Sequence, residues 1–219
     1  MQVANKPTLI TFKDWTLRVQ ETQSTRPRLL VLIHGWTGDE NSMWVFTRGL
    51  SHDYWMIAPR APHPAEPGGF SWRPNQPLTH GKPSLEMLLP SAEALINLID
   101  EYSASVDLDA LQFDLMGFSQ GAAMVNLMGM LYPHRVRKMG VLAGFVPSGL
   151  DELILKKPLA GKNVFVAHGT QDQMVTIDRA RASIELLEQA GAQVTYCEDE
   201  VGHKLSANCL RALENYLQD

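Results

Sequence analysis

The sequence predicts an α/β protein with one mostly parallel central sheet covered by helices on both faces. Short, unbroken apolar runs recur, such as Leu-Leu-Val-Leu-Ile at 29–33, the mark of strands buried on both sides. Stretches of helical periodicity separate these runs, so strands and helices alternate along the chain. At 111–131 an apolar run turns through Gly117-Phe118-Ser119-Gln120-Gly121 into a helix former, a strand–turn–helix unit with glycine two residues either side of a serine.

Taken in order, residues 8–12 and 15–19 read as two strands around Lys13-Asp14, a hairpin at a sheet edge. The run 29–33 ends in His34-Gly35-Trp36-Thr37-Gly38, after which Asp39 or Asn41 can cap a helix to about Leu50. Residues 55–58 are the next strand, and 59–83 form a proline-studded loop without periodicity. Residues 84–103 are amphipathic, with Leu85, Leu88, Ala92, Leu95, Ile96 and Ile99 on one side. The helix 121–131 is apolar almost all round and belongs between layers, with Pro133 closing it. Strands follow at 141–145, 164–167 and 194–197. Helices run from Thr176 to the stop residue Gly191 and over 206–217.

At 219 residues and 45% hydrophobic composition the chain has enough core for one domain and too little for two, and no repeat or linker divides it. The expectation is a single domain over 1–219. The formal net charge is −5, and the one basic cluster, His134-Arg135-Val136-Arg137-Lys138, reads as a solvated face, which argues against a nucleic-acid partner. The start of the chain lacks the apolar core of a signal peptide, and no run approaches membrane-spanning length. Cys197 and Cys209 are too few for a disulfide framework and are expected to be buried thiols of a reducing, cytoplasmic compartment. A homodimer is compatible with the sequence and not indicated by it.

A serine hydroxyl needs a base to become a nucleophile, and histidine has the suitable pKa. In a strand–serine–helix elbow the chain order is serine, acid, histidine. Of the two histidines after Ser119, His203 sits between the last strand and the last helix, whereas His168 has only Asp151 and Glu152 available as preceding acids. Asp172 lies just beyond a strand end, where the catalytic groups of an open parallel sheet collect. Asp178 has a sufficient role in the first turn of a helix, and Asp199 belongs to an acidic surface run. The expected triad is therefore Ser119, Asp172 and His203. The competing readings are a serine that only caps its helix, an aspartate that only makes a turn, and a structural loop histidine.

Gly-Phe-Ser-Gln-Gly at 117–121, His34-Gly35 after an apolar strand, Gly-Thr-x-Asp at 169–172 and Gly202-His203 before a last helix together resemble the phospholipase/carboxylesterase family of α/β-hydrolases. That family includes acyl-protein thioesterases and bacterial carboxylesterases. The resemblance runs from about Leu29 to the end. It implies an α/β-hydrolase fold with about eight strands. It also implies hydrolysis of a small-molecule ester or acyl thioester without metal or cofactor, and an oxyanion hole from the backbone N–H groups of Trp36 and Gln120. Three departures touch the pocket. Ala122 replaces the usual third residue of Gln-Gly-Gly, the loop from Trp36 to Glu40 is more crowded, and Phe70-Ser71-Trp72-Arg73 lacks the usual aspartate.

Two loops are expected to hold substrate: 59–83 through Phe70 and Trp72, and the segment after Phe145 through Leu150, Leu153, Ile154 and Leu155. A short helix packed on the core is the competing reading for that quartet. Arg60, His63, Arg73 and His80 match no metal spacing and are expected at the surface or against the leaving group. The rival function is a catalytically silent hydrolase-fold binding protein or small-molecule receptor. Such a chain would be free to lose one of the three groups.

Overall fold

In a computed structural model, which describes residues 6–74 and 83–218, the apolar runs become ten strands. They are β1 (Thr8–Phe12), β2 (Trp15–Gln20), β3 (Arg28–Ile33), β4 (Tyr54–Pro59), β5 (His63–Pro64), β6 (Phe70–Ser71), β7 (Phe113–Phe118), β8 (Val136–Leu142), β9 (Asn163–Gly169) and β10 (Gln193–Asp199). Five α-helices accompany them: α1 (Leu85–Ser105), α2 (Gln120–Leu131), α3 (Asp151–Ile154), α4 (Ile177–Gln189) and α5 (Ala207–Gln218). Eight strands form one sheet in the order β1-β2-β4-β3-β7-β8-β9-β10, and β5 and β6 make a separate small ribbon. The pairs β1–β2 and β2–β4 are antiparallel, and every later pair in the large sheet is parallel. The fold is the α/β-hydrolase arrangement.

Strand alternation divides the core in two. Leu29, Val31 and Ile33 of β3 face the layer containing α1, α2 and α4. Leu30 and Leu32 face the opposite layer, with Met43 and with Cys209, Leu213 and Leu217 of α5. Burial on both faces is why β3 reads as an unbroken apolar run. Helix α2 lies wholly inside, buried from Gln120 to Met130, as its all-round apolarity requires.

Four expectations need correction. The helix from Asp39 or Asn41 to Leu50 is only a 3-10 turn, Ser42–Phe46, and Asn41 gives it no side-chain cap. Its sequence Trp44-Val45-Phe46-Thr47 is aromatic and β-branched, and these are weak helix formers. Strand β8 starts at Val136, so the basic cluster is not simply a solvated face after a helix. Arg137 pairs with the fully buried Asp114 of β7, Nε to Oδ1 at 2.9 Å, and Lys138 Nζ donates to the Tyr216 carbonyl at 2.6 Å. These partners let charged residues occupy strand positions.

The loop 59–83 also contains regular structure, the ribbon of β5 and β6. His80 lies outside the described residues. Finally, Cys197 of β10 and Cys209 of α5 are joined as a disulfide, with Cα atoms 5.6 Å apart. The packing of α5 on β10 brings the two within bonding range, a contact invisible in their spacing. The pair therefore no longer supports a reducing compartment. Among the described residues no helix is long and apolar enough to cross a membrane.

Candidate active site

The elbow forms where α2 begins against the end of β3. A Cβ on Gly121 would meet the Ile33 carbonyl oxygen at 2.0 Å, and one on Gly117 would meet the Gly121 carbonyl oxygen at 2.2 Å. Only glycine permits that approach. Between them Ser119 has φ 55° and ψ −114°, a region that L-residues avoid. Its N–H donates to the Leu142 carbonyl of β8 at 2.9 Å, and its own carbonyl accepts from Ala122 at 3.0 Å. The Ser119 side chain makes no capping bond to α2. A mere helix cap does not account for it.

The Asp172 turn follows β9. Asp172 Oδ1 accepts from the N–H groups of Met174 and Val175 at 2.9 and 3.0 Å. Asp172 Oδ2 lies 2.7 Å from His203 Nδ1. A carboxylate only accepts, so Nδ1 carries the hydrogen, and in the neutral imidazole Nε2 keeps its lone pair. The turn role and the contact with histidine thus use different oxygens of one side chain. The loop carrying His203 is laced to this turn by Gln171 N–H to the Val201 carbonyl at 3.0 Å and Thr170 N–H to the Asp199 carbonyl at 2.9 Å. The Phe118 ring packs against the imidazole at 4.9 Å. Asp178 is exposed in the first turn of α4.

His168 is buried beneath the same turn, with Nε2 2.7 Å from the Val175 carbonyl and 3.4 Å from Asp172 Oδ2. His34 is buried at the end of β3. Its Nδ1 lies 2.7 Å from the Gly35 carbonyl, and its Nε2 accepts from Ala61 N–H at 3.0 Å. Burial holds the pKa of both histidines below the usual value.

Ser119 opens onto two cavities, which share Trp36 and Met174. Among the described residues, one of about 300 Å³ is lined further by Arg73, Pro83, Gln120, Phe145 and Val175. The other, about 460 Å³, is bordered by His203 together with Met43, Phe46, Pro67 and Phe118. Among the described residues no hydrogen bond joins Ser119 Oγ to His203, though both border this second cavity. Such contacts are commonly loose before substrate is bound.

The residues expected to hold substrate lie elsewhere. Trp72 is fully buried, its Nε1 donating to the His34 carbonyl at 2.8 Å. Phe70 is half-buried, under the Arg60 guanidinium at 4.6 Å. Arg60 grips the buried Glu40 with both Nε and Nη2, at 2.7 and 2.9 Å, and so anchors its loop. Leu150 borders a neighbouring cavity of about 330 Å³, Leu153 packs on the core from within α3, and Leu155 is exposed. None of Phe70, Trp72, Leu150 and Leu153 lines either cavity at Ser119.

Trp36 does line both. Sequence reasoning missed Phe145 and Met174, although each has a signal. Phe145 follows a strand end, and Met174 stands two residues after the predicted acid. The Gln120 side chain also has a role of its own. Its Oε1 accepts from Trp72 N–H at 2.9 Å, and its Nε2 donates to Ser71 Oγ at 3.1 Å, tying the first loop to the elbow.

The chain belongs to the phospholipase/carboxylesterase family, whose model matches residues 16–219. It is accordingly a serine hydrolase of the carboxylesterase and acyl-thioesterase type. Acyl-protein thioesterase 1 of Debaryomyces hansenii is 27% identical over 93% of this chain and 95% of its own length. A probable carboxylesterase of Arabidopsis thaliana, SOBER1-like, is 26% identical over 81% of this chain and 67% of that protein. Among solved structures, a carboxylesterase from Mesorhizobium loti superposes with a TM-score of 0.81 at 21% identity, covering 98% of this chain and 99% of the other. The Bacillus cereus carboxylesterase gives 0.79 at 21% identity over 94% of each.

Proposed function

We propose that the chain hydrolyses carboxylic esters, and acyl thioesters of the same shape, through Ser119, His203 and Asp172. The observation that carries this reading is the 2.7 Å contact between Asp172 Oδ2 and His203 Nδ1, beside a cavity that His203 shares with Ser119. His203 Nε2 takes the Ser119 proton as Oγ bonds to the substrate carbonyl carbon. Asp172 keeps the imidazole in the tautomer this needs and stabilises its charged form.

The tetrahedral oxyanion accepts from the backbone N–H groups of Trp36 and Gln120. Gln120 is the first residue of α2, a position whose N–H has no intrahelical acceptor and where the helix favours negative charge. Collapse breaks the ester C–O or thioester C–S bond, and His203 passes its proton to the leaving atom. Water then attacks the acyl-serine, gives a proton to His203, and the returning proton restores Ser119. The products are an acid and an alcohol or thiol. One relative is named a thioesterase and another a carboxylesterase, so both leaving atoms belong to the proposal.

A fluorophosphonate probe should label the protein once, and Ser119→Ala should abolish both labelling and turnover of a short chromogenic ester. Labelling that persists in the alanine variant would move the nucleophile elsewhere. Labelling without turnover of any ester would favour the silent binding protein.

A further inference from the structure

We propose that the acyl group accepted at Ser119 ends in a carboxylate received by Arg73, so that the substrates are half-esters of dicarboxylic acids with an apolar alcohol. This rests on the ester-hydrolase reading above and adds direction and charge to it.

Direction comes from His203. The group that protonates the leaving atom must face the leaving group, and His203 borders only the larger of the two cavities. The alcohol portion therefore enters among Met43, Phe46 and Phe118, an apolar surface. The carbonyl carbon sits at Ser119 where the cavities meet. The acyl chain then runs into the smaller cavity, past Gln120 and along Phe145 and Val175.

Charge comes from Arg73. Among the described residues it is the only ionisable side chain lining that smaller cavity, whose other walls are apolar or uncharged. Arg73 is buried, at 8% exposure, and burial lowers its pKa. A guanidinium nevertheless stays charged in a protein, and a buried charge draws an opposite one strongly. It is also engaged within the protein. Five N–H donors in a planar fork allow it to keep such a contact and still meet a carboxylate.

The position of Arg73 is fixed relative to the serine. Its backbone N–H donates to Ser71 Oγ at 3.2 Å, and the side chain of Gln120, next to Ser119, holds both Ser71 and Trp72. The main chain at Arg73 is thus tied to the elbow through Gln120, so only the side chain needs ordering when substrate arrives.

The test compares mono-4-nitrophenyl adipate with 4-nitrophenyl hexanoate, which share leaving group and carbon count and differ in the terminal carboxylate. Wild-type enzyme should favour the adipate in kcat/KM by about 10- to 100-fold, the range of a charge-assisted hydrogen bond. In Arg73→Gln the ratio should collapse toward one, mainly through KM of the adipate, with Arg73→Lys intermediate. Free adipate should also inhibit wild-type hexanoate hydrolysis at roughly tenfold lower concentration than free hexanoate does, a measurement that needs no variant. Indifference of the wild type to the carboxylate, or a preference that survives in Arg73→Gln, would overturn the proposal. Fluorophosphonate labelling of Ser119 without turnover of either ester would overturn it while leaving the serine reactive. Absence of labelling would instead bring down the hydrolase reading itself.

Discussion

The elbow at 117–121 and the loop at 199–206 deliver two groups to one cavity by different means. The elbow is held by main-chain contact, since α2 lies so close to β3 and to β7 that neither flanking glycine could carry a Cβ. The loop also comes close to a buried strand end, since a Cβ on Gly169 of β9 would meet the Val201 and Gly202 carbonyl oxygens at 2.2 and 2.3 Å, but that contact stops short of the His203 side chain. Beyond it, the loop depends on the carboxylate of Asp172, two backbone hydrogen bonds to residues 170 and 171, the Phe118 ring and the disulfide that brackets it. A serine set by backbone geometry resists most side-chain changes nearby. A histidine set by side-chain links should answer to each of them.

The largest effect should follow from cutting the link between loop and turn. Asp172→Asn keeps the shape of the turn but leaves His203 without a partner that fixes its tautomer. Turnover should fall on the order of 10⁴-fold with little loss of stability, by analogy with other triad aspartates. Asp178→Asn should change only stability, by roughly 0.3–1 kcal/mol, since it meets the start of α4 and nothing else catalytic. Kinetics on the two variants side by side settles the assignment, and reversed results would transfer the role to Asp178.

Next in size is the disulfide. It closes a loop with His203 near its middle, the two cysteines being separated by 12 in sequence. A closed loop of this length stabilises by about 3 kcal/mol in the chain-entropy account. Reduction, or Cys197→Ala with Cys209→Ala, should lower the urea midpoint accordingly and reduce turnover, while leaving fluorophosphonate labelling detectable. If the reduced protein unfolds at the same urea concentration, backbone bonds alone hold the loop, as they hold the elbow.

The elbow can be tested through its own departure from the family pattern. Ala122 stands where the family usually has glycine, and Gly144 faces it. A Cβ on Gly144 would meet the Ala122 methyl at 2.2 Å. Gly144→Ala should therefore destabilise by about 1–3 kcal/mol. Ala122→Gly should recover part of that loss in the double variant, a coupling that a double-mutant cycle measures directly. Simple additivity would show that the two positions do not share one space.

The contrast also explains what the sequence reveals. The strand–turn–helix elbow, the alternation of strands and helices, and the positions of Asp172 and His203 just beyond strand ends were legible because each depends on local signals: apolar runs, glycines at fixed offsets, and polar groups after apolar runs. The disulfide was not legible, because two cysteines become partners only when α5 folds back on β10. Trp72 looked like a pocket residue, and Arg60 like a surface or leaving-group residue, because both sit in an irregular loop rich in proline. Their roles were decided by the distant partners Glu40 and His34. The early start of β8 was masked by Arg137, whose charge is met by Asp114 on the neighbouring strand. Leu150 and Leu153 were ambiguous between cavity and core, and no local pattern separates the two.

The smallest predicted effect concerns the buried histidines, one beneath each region. His34 underlies the start of the elbow, and its hydrogen bonds define a neutral tautomer. The Gly35 carbonyl can only accept, so Nδ1 carries the hydrogen, while Nε2 receives the N–H of Ala61. Protonation would set two hydrogens face to face. His168 underlies the Asp172 turn, where Nε2–H donates to Val175 and Nδ1 is buried with no hydrogen-bond partner. Burial is the leading cause that lowers both pKa values from 6.5. Below that value the unfolded chain takes up protons that the folded protein refuses, so stability should fall as pH falls through the window beneath 6.5. Each histidine can contribute at most about 1.4 kcal/mol per pH unit, because each exchanges one proton. Asp39, hydrogen-bonded by Asn41 and Ser42, and Glu40, paired with Arg60, have pKa values held below their usual 3.8 and 4.5, so their contribution is lost only at lower pH. Urea midpoints measured from pH 7.5 down to 5 should decline in wild type and more gently in His168→Asn. A midpoint that is flat across that range would show that neither histidine is held neutral. A decline that His168→Asn leaves untouched would move the sensitivity away from the Asp172 turn, to His34 or to His63, whose pKa burial also lowers.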